Sequence, residues 1–308
     1  MGFFFEVLIG GLLSGVLYAL VALGFVLIYK ASGVFNFAQG AMVFFAALTF
    51  VGFQELLPGW TGLEEGSAVV FWLAFILALA SMIVLGILTE KVVLRPLVNQ
   101  PHITLFMATI GLTFLVEGIA QAIWGANVRA LDLGITDEPI EWILDSADMI
   151  VSKFDVFAAA LAGILVAALA LFFQYTKVGR ALRAVADDHQ AALSIGIPLQ
   201  HIWAIVWGVA GFVALVAGLI WGARSGVQFA LTFTALKALP VLILGGFTSV
   251  PGAIVGGLII GASEKLAEVY IGPFVGGGIE GWFPYMLALF FLLVRPEGLF
   301  GEKHIDRV

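Results

Sequence analysis

The 308-residue chain has no cysteine. That absence excludes disulfide staples, thiolate metal sites and a cysteine nucleophile. Charge is also scarce: 11% of residues are Asp, Glu, Lys or Arg, against about a quarter in a soluble domain. No Gly-Lys dipeptide occurs, so the phosphate-cradling loop of nucleotide-binding proteins is excluded. "GGGIEG" at 276–281 is rich in glycine but lacks that lysine and a strand before it, and reads as an external loop. His102, His189, His201 and His304 show no HExxH-like spacing, which argues against metal chemistry. No serine, histidine and carboxylate suggest a nucleophilic triad, so an enzyme is not expected. Residues 1–15 lack a basic stretch and a small-residue cleavage site, so the first apolar run reads as a retained helix.

What the chain has is apolar surface. Hydrophobic residues make up 62% of it and the mean hydropathy is +1.10. Many runs exceed the roughly 18 apolar residues that can cross a bilayer, which predicts an all-α, polytopic integral membrane protein. Helix-length windows place spans near 7–29, 38–56, 68–89, 104–124, 154–174, 202–223, 231–247, 252–270 and 282–295. The second and seventh are short or interrupted, so eight to ten crossings are expected. With the N-terminus outside, Lys30, Lys91, Arg95, Lys177, Arg180, Arg183, Arg295, Lys303 and Arg307 fall inside and only Arg129, Lys153 and Arg224 outside. That bias follows the positive-inside rule and puts the C-terminus in the cytoplasm. The loops 57–67 and 125–153 are then external, and both are acidic. There is no sign of a large soluble domain, so residues 1–308 read as a single transmembrane domain.

Three polar features interrupt the apolar spans. The first is "KASGVFNFAQGAM" at 30–42, with Gly33, Asn36, Gln39 and Gly40 close together. A broken helix exposes backbone groups that lipid does not tolerate unless protein or a water-filled cavity surrounds them. Asn36 and Gln39 therefore either line a translocation path or satisfy their own backbone at a packing corner. "SGVFNFA" at 32–38 recurs loosely as "SGVQFA" at 225–230, at opposite faces on this topology. An inverted-topology repeat predicts such an arrangement. The second feature is Lys237, mid-span, with Glu117 and Glu264 as candidate partners and Glu117 matched to it by depth. Such a residue marks either a structural bridge between helices or a contact with substrate. The third is the set Gly252, Gly256, Gly257 and Gly261, two GxxxG spacings that predict close packing against a helix of this chain or of a partner.

The segment 175–201, "YTKVGRALRAVADDHQAALSIGIPLQH", predicts two short helices. Lys177, Arg180 and Arg183 form a basic stripe, Asp187 or Asp188 caps the second helix, and Gly196 with Pro198 ends it. "QAALSIG" resembles the coupling motif of ABC importer permeases, with Gln190 where glutamate is usual. "GRALRAVADDHQAALSIGIP" is similar to the branched-chain amino-acid permeases in particular. "GLLSGVLYALVALGFVLIYKASGVFNFAQG", "TEKVVLRPLVNQPHITLFMATIGLTFL", "ALKALPVLILGGFTSVPGAIVGGLIIGASE" and "RPEGLFG" resemble further blocks of that family in the same order. Ala41 stands where the family commonly has an acidic residue, and Gln39 where His is also frequent. Permeases for urea and short-chain amides share much of the pattern.

The resemblance implies a permease subunit of the plasma (inner) membrane that passes branched-chain amino acids. It also implies a homologous second permease, two cytoplasmic ATPase subunits and an external solute-binding protein. ATP and magnesium would bind the ATPases, and this chain would carry no cofactor. Gly179, Arg180, Arg183, Gln190, Ala191, Ala192 and Gly196 would form the ATPase-coupling surface. Asn36, Gln39, Lys237 and Glu117 are the candidates for the substrate path. A secondary transporter driven through Glu117, Lys237 and Glu264 is the alternative of a different class.

Overall fold

The computed structural model describes residues 2–97, 100–187 and 189–301. Helix α1 (Gly2–Ser32) is followed by a non-helical stretch and then by α2 (Gln39–Thr61). Helix α3 (Ala68–Leu88) starts under the Ser67 hydroxyl, which accepts from Val70 N at 3.4 Å. It continues as one widened π turn, Thr89–Leu94, before α4 (His102–Trp124). Short α5 (Glu141–Ala147), long α6 (Lys153–Tyr175), and the pair α7 (Lys177–Asp187) and α8 (His189–Ser194) come next. Helix α9 (Leu199–Ser225) leads through a 3₁₀ turn, Phe229–Phe233, into α10 (Thr234–Lys237) and α11 (Leu239–Gly245). Helices α12 (Val250–Tyr270), α13 (Gly272–Val275) and α14 (Phe283–Val294) complete the chain.

Among the described residues seven helices are long and apolar enough to cross a membrane, and Phe229–Gly245 and Phe283–Val294 are shorter apolar segments. Together they fall on the nine stretches expected from hydropathy. The seventh stretch is the interrupted one, split into a 3₁₀ turn and two short helices. Among the described residues the extended pairings are isolated bridges, Arg129 with Val227 and Pro139 with Ser152. The protein is thus an all-α, multi-pass membrane protein.

The chain forms two compact units, and α1 contributes to both. The first comprises Met1–Val26, Gly134–Gln174 and Leu236–Val308. Its centre is α12, which presents two glycine faces. A Cβ on Gly257 would lie 2.6 Å from Gly15 O, and one on Gly261 2.3 Å from Gly11 O, so α1 and α12 run antiparallel in backbone contact. On the other face a Cβ on Gly252 would lie 2.1 Å from Gly245 O, and one on Gly256 2.7 Å from Val241 O. Both glycine pairs thus serve neighbours within this chain, α1 and α11. Beyond α14, Leu299 N and Phe300 N donate to Leu244 O (2.8 Å) and Gly245 O (3.1 Å). The terminal segment thereby caps carbonyls that the end of α11 leaves without helical partners.

The second unit comprises Leu27–Leu133 and Tyr175–Ala235. Here α2, α3 and α9 pack on one another. Gly218 abuts Val43 and Ala47, while Gly211 and Gly86 let α3 and α9 close on each other at Met82 and Trp207. Gly52 lies against the Trp124 ring, which holds α4 on α2. Val43 and Ala47 meet Gly218, and Ala47 also meets Gly222, so α2 runs parallel to α9. Its first residue, Gln39, is then level with the middle of α9. Helix α2 therefore begins halfway along its neighbour, and residues 33–38 cover the preceding half as non-helical chain.

Candidate functional site

The first break begins where Ser32 turns its hydroxyl back onto Ile28 O at 2.8 Å. Gly33 follows at φ 66°, a left-handed conformation that a side chain would resist. Asn36 and Gln39 are both fully buried. Asn36 serves its own backbone through Oδ1, which accepts from Ala38 N at 3.2 Å, and its Nδ2 donates to Gln39 Oε1 at 3.3 Å. Thr109 on α4 steadies the break, accepting from Phe37 N at 3.2 Å and reaching Phe35 O at 3.1 Å. Among the described residues Gln39 Nε2 has no partner. Among them, too, no side chain caps the start of α2 and none bonds the N–H groups of Gly40 and Ala41, at the positive end of a 23-residue helix.

The second break repeats the local geometry. Ser225 ends α9 and donates to Trp221 O at 2.9 Å, and Gly226 has φ 78°. Both serines spend their hydroxyls on the carbonyl four residues back, and both glycines turn the chain out of the helix. Phe229 packs on Phe44 at 6.4 Å, and Thr232 O would touch a Cβ on Gly40 at 2.1 Å. From 229 to 232 the chain thus runs against the direction of α2. The two breaks enter this layer from opposite ends and meet at Gly40.

Glu117 on α4 completes the cluster. Helix α4 follows α2, with Thr109 beside the first break and Trp124 Nε1 donating to Thr49 Oγ1 at 3.2 Å. Glu117 falls between those contacts and lies beside Thr232. It is 6% exposed, and no ion pair or hydrogen bond of good geometry reaches it among the described residues. Thr232 Oγ1 is buried without a partner as well. An ionisable group at the centre of a spanning helix costs about 2.5–3.5 kcal/mol on insertion scales, so such residues usually serve a function.

Lys237 belongs to the first unit. Its Nζ lies 3.1 Å from Glu264 Oε1 and 5.8 Å from the Tyr18 ring centre, and Tyr18 OH donates to the same oxygen at 3.1 Å. The pairing with Glu117 expected from depth is corrected: the partner is Glu264. Helices α11 and α12 form an antiparallel hairpin, which sets Lys237 level with Ile260. A helical side chain leans toward its own N-terminus, so Glu264 reaches back one turn to that level.

Helices α7 and α8 carry the residues expected at a coupling surface. Thr176 caps α7, its hydroxyl accepting from Gly179 N at 3.1 Å. Gly179 is buried, Arg180 is exposed and Arg183 half-buried. In α8, Ala192 is buried while Ala191 is exposed, and the Gln190 side chain and all of Asp188 lie outside the described residues. Gly196 at φ 85° ends the turn, with Ile197 N bonded to Ala192 O and Gly196 N to Leu193 O, both at 3.0 Å. That is the paired closure of a Schellman cap. Leu193 (55% exposed) and Ile195 (73%) stand clear of the unit.

Sequence reasoning did not single out Thr109, Thr232 or Glu90. Buried Glu90 holds Arg95 through two bonds of 3.0 and 2.7 Å. Residues five apart lie about 140° apart around an α-helix, and the π turn, with Arg95 N bonded to Glu90 O, brings them to one side. Only the Glu-x4-Arg spacing hinted at it.

Curated relatives match at full length. The chain is 26% identical to the high-affinity branched-chain amino acid transport system permease protein LivH of Salmonella typhimurium, over 99% of this chain and 98% of that one. It is 26% identical to BraD of Pseudomonas aeruginosa, of the same description, with the same coverage. The fructose import permease protein FruF of Bifidobacterium longum is 25% identical over 80% of this chain and 66% of its own length. Residues 7–294 match the family described as "Branched-chain amino acid transport system / permease component". The chain therefore belongs to that family of ABC permease components, transport subunits rather than enzymes.

Proposed function

We propose that this chain is a permease subunit of an ATP-driven importer that passes branched-chain amino acids across the plasma (inner) membrane. One observation carries the substrate: the similarity to LivH extends over 98% of that protein, whereas FruF, at nearly the same identity, is matched over 66% of its length. The path runs past the meeting point of the two breaks. Non-helical backbone and unpaired polar groups at mid-span are tolerated only where protein or a water-filled cavity receives them. Gln39 faces the solute there, whereas Asn36 holds the break.

Segment 175–201 is the ATPase-coupling segment on the cytoplasmic side, where the basic residues also put the C-terminus. Exposed Leu193 and Ile195 on a rigidly capped turn give an ATPase subunit an apolar surface to grip. Two such subunits, binding ATP and magnesium, a second homologous permease and an external solute-binding protein complete the assembly. Lys237 and Glu264 brace α10 and α11 against α12.

The test is uptake of radiolabelled leucine by the source cells with this gene deleted and then restored. Loss on deletion and recovery on restoration are expected. Unchanged leucine uptake in cells with no second active system would overturn the substrate and move it to urea or a short-chain amide.

A further inference from the structure

We propose that the meeting point of the two breaks is a head-group site for a zwitterionic amino acid. The free N–H groups of Gly40 and Ala41 and Gln39 Nε2 receive its carboxylate, and Glu117 with Thr232 Oγ1 receives its ammonium. The inference rests on the amino-acid reading of the function and deepens it. Three observations converge within the second unit. The start of α2 is buried, uncapped and free of acidic side chains, so its positive end is unspent. Gln39 Nε2 and Thr232 Oγ1 are buried without partners, on the two segments that touch at Gly40. Glu117 supplies a carboxyl group beside Thr232, with no cation of the described chain paired to it.

The cluster is thus divided by chemistry. The groups left unpaired on its α2 side are N–H donors, and its α4 side offers a carboxyl group. Buried polar groups in native proteins are nearly always paired, and both signs are left unpaired here in one place. An amino acid brings both missing partners at once, an acceptor carboxylate and a donor ammonium one carbon apart. A neutral solute such as urea or a sugar would answer the donors but leave Glu117 without a counter-charge. The apolar side chain of a branched amino acid needs only apolar neighbours, and Phe44 and Phe229, packed on each other, lie four residues from Gly40 and three from Thr232.

The experiment uses the complete transporter, with its partner subunits and binding protein, in proteoliposomes, and measures leucine import and ATP consumed per leucine. Glu117→Gln should assemble with its partners yet import leucine at least tenfold more slowly and use more ATP per leucine, because the stroke proceeds without holding its cargo. Glu117→Asp should recover part of the rate. Gln39→Ala removes the orphan donor, and with it the oxygen that accepts from Asn36, without touching a charge, and should shift both readouts in the same direction. A wild-type complex that imports leucine beside a Glu117→Gln complex of equal rate and equal ATP use overturns the head-group site alone. A wild-type complex that imports urea and no leucine overturns the amino-acid reading, and the site with it.

Discussion

A lysine inside an apolar segment needs an anion within reach, and Lys237 shares Glu264 Oε1 with the Tyr18 hydroxyl. The net worth of such a pair is small, since desolvation offsets most of the Coulomb attraction. Breaking it is another matter. Lys237→Met leaves a 1%-exposed carboxylate without its cation, held only by the Tyr18 hydroxyl, and a loss of about 3–5 kcal/mol is expected. The double variant Lys237→Met/Glu264→Gln removes both charges and should regain most of that loss. Thermal unfolding of the detergent-purified chain checks the order, with the single variant melting below the double. A double variant that melts as low as the single would show that the pair braces the hairpin through more than charge. Asn36 and Gln39 differ at this same scale. One amide spends its oxygen on Ala38 N, and the other keeps a nitrogen unspent.

At the scale of elements, α12 is held by four glycines that leave no room for a methyl group. Gly261→Leu would drive carbon into Gly11 O and the Gly15 backbone, neither of which can swing aside as a side chain would. It should abolish the monodisperse peak in size-exclusion chromatography. Gly118 on α4 has nothing within 4 Å of its Cβ position. Gly118→Ala should keep that peak and raise the melting temperature slightly, since alanine gains up to about 1 kcal/mol over glycine in a helix interior. Most spans are legible in the sequence because their apolar runs match a bilayer's thickness. The GxxxG spacings on α12 are legible for a similar reason, since small residues four apart share a face. Their partners are not. Gly11 and Gly15 sit in a run too uniformly apolar to show which side faces protein. The meeting of the breaks is hidden too, because Thr232 is one threonine in an apolar stretch and its role depends on how α2 aligns with α9. Glu117 was visible as an oddity, but hydropathy gives only its depth and not the helix it faces.

At the scale of the whole molecule, a permease component of an ABC transport system works with other components, and its exposed features gain meaning from them. Leu193 and Ile195 project from a turn whose backbone is closed by its own bonds. Leu193→Asp/Ile195→Asp should therefore leave the chain folded, because neither side chain packs inside it. Co-purification of the proposed ATPase subunits should drop at least tenfold. Full retention of those subunits would place their grip elsewhere on the segment.

The glycine contacts between α1 and α12 also constrain how the protein is made. A chain leaves the ribosome from its N-terminus onward, and Tyr18 and Glu264 lie 246 positions apart. Gly11 and Gly15 thus enter the bilayer long before the helix that fits them exists, and the carbonyls at the end of α11 wait longer still for Leu299 and Phe300. The second unit, made wholly of residues between 27 and 235, has all its parts before α12 is translated. Biogenesis therefore has a direction, in which the middle of the chain can settle before α12 arrives to meet Gly11 and Gly15.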